Sequence, residues 1–114
     1  MDLMSDAEGS VLCGWVAPGI YYARFQGKLS AQLGAFHIRA LEAATDKGEL
    51  IRYYCDSHAL TSYDMLARSA FARLLLRKRK QFVDLVILNW NGAVYSRHRR
   101  RLLRGEVASS VGRA

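Results

Sequence analysis

LIRYYCDSHALTSYDMLARSAF at residues 50–71, followed by VDLVILNW at 83–90, decides the fold. In LIRYYCD, alternation puts Ile51, Tyr53 and Cys55 on one face and Leu50, Arg52 and Tyr54 on the other, the period-two pattern of a strand. SHALTS reads as a loop, after which a helix runs from about Tyr63 to Lys80. Ala67, Ala70, Phe71 and Leu74 recur at helical spacing and form its buried face. The last turn, Arg77-Lys78-Arg79-Lys80, sets positive charge where the helix dipole favours it. VDLVILNW is nearly continuously apolar, as expected of a strand covered on both sides at the centre of a sheet.

Working outward, VLCGWVA and IYYARFQG at 11–17 and 20–27 are rich in β-branched and aromatic residues and flank the turn pair Pro18-Gly19, which predicts an antiparallel hairpin. Ser30 can cap a following helix in which Leu33, Phe36, Ala40, Leu41 and Ala44 share one face, ending near Lys47-Gly48. His37 sits at the edge of that apolar face and reads as a packed side chain. NGAVYSRHRRRLLR at 91–104 suggests a third helix, with Val94, Tyr95, His98 and Leu102 on one face and Arg97, Arg100, Arg101 and Arg104 on another. The order is ββαβαβα. It implies an α/β domain over residues 11–104 whose mixed sheet has a parallel centre and an antiparallel N-terminal edge hairpin, with helices mainly on one face. Residues 1–10 and 105–114 read as flexible ends.

The 114 residues carry a formal charge of +7 that is unevenly placed. Residues 65–104 hold eleven Arg or Lys and one acid, Asp84, whereas residues 1–64 hold five bases and eight acids. Such asymmetry favours an anionic partner or, equally simply, a solvated basic face. Cys13 and Cys55 both fall in strand-like apolar segments and read as buried, reduced thiols. No signal peptide or membrane helix is legible, so a cytoplasmic location is expected.

The segments FQGKLSAQ, IRYYCDSHALTSYDMLARSAF and VDLVILN together resemble a STAS domain, the small α/β module of anti-sigma-factor antagonists, stressosome proteins and the cytoplasmic tails of anion transporters. The likeness covers about residues 15–90. It implies that Asp56 is the acid that ends a strand and that Ser62 is nearest the helix-start serine that can be phosphorylated. TSYD lacks the following glycine of that signature, and its Ser is not preceded by Asp. A divergent branch of small bacterial proteins with a similar Thr-Ser-Tyr-Asp and a downstream Arg, here Arg68, is the nearer resemblance. The resemblance implies a regulatory or structural interaction module.

Ser62 can cap the second helix, Thr61 and Asp64 can form a capping box one residue earlier, or Ser62 can carry a phosphate switch. Cys55, Asp56 and His58 cluster in sequence without the spacing of a metal site or an oriented nucleophile. No P-loop, dinucleotide or hydrolase motif occurs, so neither catalysis, a metal nor a cofactor is expected. With the helices on one side of the sheet, Tyr22, Arg24, Arg52, Tyr54 and Trp90 line the other, a composition typical of protein interfaces. Leu76, opposite the buried face of its helix, can anchor a partner beside the basic run. A protein partner and a homo-oligomer are therefore the leading expectation. Binding of nucleic acid by residues 77–80 and 97–104 is the alternative, and an anionic membrane or lipid is a third.

Overall fold

Pro18-Gly19 turns the chain back on itself between β2 (Gly9–Ala17) and β3 (Ile20–Leu29), whose antiparallel pairing sets Cys13 against Ala23 and Trp15 against Tyr21. The computed structural model describes residues 1–89 and 91–98. β2 also pairs with β1 (Asp2–Ser5), Leu3 opposite Leu12 and Met4 opposite Val11. Asp2–Ser5, within the stretch expected to be flexible, are thus an edge strand. Its turn is held by Asp6, whose carboxylate accepts the Glu8 and Gly9 amides at 2.9 and 3.0 Å and the Ser30 hydroxyl at 2.7 Å.

Ser30 caps α1 (Ala31–Asp46) as its sequence position suggests, its Oγ accepting the Leu33 amide at 3.1 Å. The helix stops at a Schellman turn: Gly48 at φ +80° lets the Glu49 amide reach the Ala44 carbonyl and the Gly48 amide reach Thr45. α1 then feeds β4 (Ile51–Tyr63), which runs parallel to β3. SHALTS is not a loop. β4 bulges where Ser57 and His58 face the single residue Phe25, the Asp56 carboxylate accepting the His58 amide at 2.9 Å, and the strand then continues beside Gln26–Leu29. Asp56 therefore lies inside β4 rather than at its end.

α2 (Met65–Arg77) begins later and ends earlier than its periodicity suggests. Its cap is Asp64, whose carboxylate accepts the Leu66 amide at 2.8 Å, while Ser62 and Thr61 are exposed residues of β4. The reason is continued pairing: the Asp64 amide still donates to the Leu29 carbonyl, so the strand does not release the chain until then. β5 (Phe82–Leu88) lies parallel to β4, and β6 (Val94–His98) returns antiparallel beside it. The segment expected to be a third helix is thus a strand over 94–98, and Arg100, Arg101, Arg104 and the tail at 105–114 lie outside the described residues.

The sheet order is β1-β2-β3-β4-β5-β6, mixed, with a parallel centre. The middle strands are β3 and β4. The apolar run of β5 is next to the edge, and among the described residues a helix covers it on one face only. Both helices pack on the same side, where Tyr21, Tyr53, Phe82, Leu33, Leu41, Ile51, Leu74 and Val11 are fully buried. Each such side chain contributes roughly 1.5–3 kcal/mol by leaving water. Of the expected α2 face, Ala67 and Leu74 are buried and Ala70 and Phe71 pack against the core. The two helices approach closely at Gly34, where a Cβ would stand 2.6 Å from the Ala67 Cβ.

Candidate functional site

Residues paired across neighbouring strands share a face, so the register assigns every sheet side chain to one side. The side without a described helix carries two central rows. One runs Leu12, Arg24, Asp56, Leu88, Val94, and the other Gly14, Tyr22, Tyr54, Val86, Ser96. A third adds Ile20, Arg52 and Asp84. Tyr22, Arg24, Arg52 and Tyr54 stand together on this face. Tyr22, Tyr54, Val86 and Leu88 are half-buried at its middle, and Arg24 and Arg52 are exposed. Trp90 lies outside the described residues.

Asp84, Val86 and Leu88 belong to this face and were missed because an unbroken apolar run suggests cover on both sides. The signal was Asp84, an acid inside that run. Arg52 Nε lies 3.6 Å from Asp84 Oδ2, and Arg24 is the register partner of Asp56. Two cations and two anions thus balance across a Tyr-Val-Leu centre.

Among the described residues, the basic side chains of 77–80 and Arg97 are dispersed rather than gathered into one stripe. Lys78 reaches Asp46 at 3.5 Å, Arg79 donates to the Leu76 carbonyl at 3.1 Å, and Arg77 closes α2. Arg97 is the register partner of Leu85 and so lies on the helix side, with Nη2 buried and without a hydrogen-bond partner among the described residues. Because 94–98 is extended, Arg97 does not lie on a helical stripe. Leu76 is 66% exposed on α2, on the helix side of the sheet, away from the Tyr22–Tyr54 face.

Cys55, Asp56 and His58 do not form a chemical cluster. Cys55 points into the core and Asp56, its neighbour on a strand, to the opposite face. Burial pushes the Cys55 thiol up to about 11, so it stays protonated, with Ser57 Oγ 3.2 Å from its sulfur. Cys13 is likewise buried and free, and Ala23 lies between the two cysteines in the same sheet row. Two strand spacings separate them, about 10 Å, which is beyond disulfide reach.

The principal buried polar pair is His37 and Tyr53, Nε2 to hydroxyl 2.6 Å, with Tyr21 donating to the His37 carbonyl at 3.0 Å. Burial pushes the His37 imidazole down to about 3, so it is neutral. A cavity of about 410 Å³ adjoins it under α2, lined by Phe25, Leu29, Tyr53, Cys55, Phe71 and Leu75 among others. A neutral, hydrogen-bonded imidazole and a protonated thiol supply no activated nucleophile there. Among the described residues no three His, Cys, Asp or Glu converge as metal ligands, and no helix is long and apolar enough to cross a membrane.

With this topology established, one solved structure is informative. An uncharacterized DUF3478-family protein from Shewanella loihica PV-4, described as having a SpoIIAA-like fold, matches with a TM-score of 0.52 and 21% identity over 75% of this chain and 71% of that one. The fold is SpoIIAA-like. That agrees with the STAS-like order read from the sequence. Protein-family models and curated proteins show no match. Within the SpoIIAA-like frame, the two described helices cover one face of the sheet, and Tyr22 and Tyr54 stand on the other.

Proposed function

We propose that the chain is a non-catalytic interaction module of regulatory or structural assemblies that self-associates through the Tyr22–Tyr54 face of its sheet. The carrying observation is the composition of that face. Tyr22, Tyr54, Val86 and Leu88 provide an amphipathic centre, and Arg24, Arg52, Asp56 and Asp84 around it sum to zero charge. In a two-fold contact the same patch meets itself, so each arginine of one copy can face a carboxylate of the other. Tyrosine and arginine are the side chains that most often carry binding energy at such contacts. Base stacking on this face is disfavoured, because a phosphate backbone gains nothing from a neutral patch.

Light scattering after size exclusion tests the reading. Wild-type protein is expected to show a concentration-dependent dimer, about twice the 12.8 kDa chain mass. Tyr54→Glu should shift it to monomer while circular dichroism stays unchanged, since the substitution is on a half-exposed strand position. A chain that remains monomeric near 100 µM, about the upper end of useful affinity for a weak dimer, sinks the proposal. So does a Tyr54→Glu dimer equal to wild type.

A further inference from the structure

α2 carries an arrangement its burial in the fold does not use. Met65 and Leu76 are each 66% exposed on the side of the helix away from the sheet, and Leu66 is 68% exposed on its flank. At about 100° per residue, Met65, Ser69, Ala72 and Leu76 fall within about 60° of one another. They form the outermost line of the helix. Their spacing of four, three and four residues is that of a heptad seam. Arg68 lies on one side of this line and Arg73 and Arg77 on the other, all exposed. After the Asp64 cap the helix contains no acid. An ordinary solvated helix has its charges outermost; here they flank an apolar crest.

We infer that this crest is a docking seam for an acidic amphipathic helix of a partner protein. Apolar side chains of the visiting helix would pack over Ser69 and Ala72, whose small size leaves a dip between Met65 and Leu76. Glutamates or aspartates flanking the visiting seam would meet Arg68, Arg73 and Arg77. Charge complementarity selects this occupant over a second copy of α2, which would set arginine against arginine. It is preferred to a lipid surface because the middle of the crest, Ser69 and Ala72, is small and no Trp or Phe lies on the line, so little apolar side chain is available to insert between headgroups. It is preferred to nucleic acid because the crest puts Met65 and Leu76, not the cations, in the leading position. This surface and the Tyr22–Tyr54 face are on opposite sides of the sheet, so either can fail without the other.

The test is fluorescence anisotropy of the full chain with two labelled peptides of three heptads, both with Leu along the seam, one flanked by Glu and one by Lys. The Glu peptide should bind saturably, with affinity falling as salt rises, and the Lys peptide should bind at least about 10-fold more weakly. Arg73→Glu should weaken the Glu peptide about 10-fold and strengthen the Lys peptide. Leu76→Asp should weaken binding of the Glu peptide. Tyr54→Glu should leave it unchanged. Both α2 substitutions are at exposed positions, and circular dichroism verifies that they fold. No saturable binding of the Glu peptide at low salt overturns the inference, as does equal binding of the two peptides. Flotation with vesicles containing phosphatidylglycerol that is abolished by Leu76→Asp, together with absent peptide binding, reassigns the crest to an anionic lipid surface.

Discussion

Moving the protein from pH 7.5 to pH 5 is expected to remove about 2 kcal/mol of folding stability through His37 alone. The imidazole is buried and its affinity for protons is pushed down to about 3, against an ordinary value of 6.5. Above pH 6.5 neither the folded nor the unfolded chain protonates it, and its contribution is fully present. As pH falls below 6.5 the unfolded chain takes up the proton and the folded chain does not, so the unfolded state is favoured. The loss grows toward the folded value and reaches roughly 4–5 kcal/mol near pH 3, a large part of a small domain's stability.

Urea denaturation across this range measures the effect. His37→Gln keeps a hydrogen-bonding group near Tyr53 Oη and should cost about 1–2 kcal/mol at pH 7.5 through imperfect packing and geometry. Between pH 7.5 and 5 it should lose markedly less stability than wild type. Wild-type stability that does not change over this interval contradicts the buried, neutral state of His37. A slope that persists in His37→Gln assigns the effect to other groups.

Gly34→Leu is expected to destabilise the fold by about 3 kcal/mol or more, because the added side chain enters the α1–α2 contact. Even Gly34→Ala should be unfavourable by about 1 kcal/mol or more, although alanine is the better helix former by 0.8–1.0 kcal/mol. The Cβ it adds would lie 2.6 Å from the Ala67 Cβ, and 3.1 Å from its Cα, so a helix must move. Combining it with Ala67→Gly returns the space. The double variant should therefore lie close to wild type, the propensity gain at 34 cancelling the loss at 67. Denaturant unfolding of the four proteins gives the coupling energy directly. Stabilisation by Gly34→Ala alone would show that the helices are not in contact there.

The parts legible in advance share a physical feature: each is decided within a few residues of chain. Pro18-Gly19 makes its own turn, Ser30 caps its own helix, and the spacing of Ala67 and Leu74 identifies a buried face before any partner is known. The face without a described helix was legible too, because alternation separates Tyr22 and Tyr54 from Tyr21 and Tyr53. What was misread is paired structure at the margins. VYSRH at 94–98 suits a helix or a strand by periodicity, and only pairing with Asp84–Leu88 makes it β6. SHALTS contains no turn-forming Gly or Pro, yet its polarity suggested a loop, and Leu29 on the neighbouring strand is what keeps the chain extended to Tyr63. For the same reason Asp64 rather than Ser62 caps α2.

The amino-acid sequence by itself determined the element order of the centre, the side of each strand that enters the core and the uneven charge, since these follow from periodicity and composition. Tertiary structure alone decided which edge strands form among the described residues, that β5 stands beside the edge with a described helix on one face only, and that Arg97 lies on the helix side of the sheet. It also decided that His37 is neutral. Strand pairing and desolvation depend on groups distant in the chain, and local residue patterns carry no record of them.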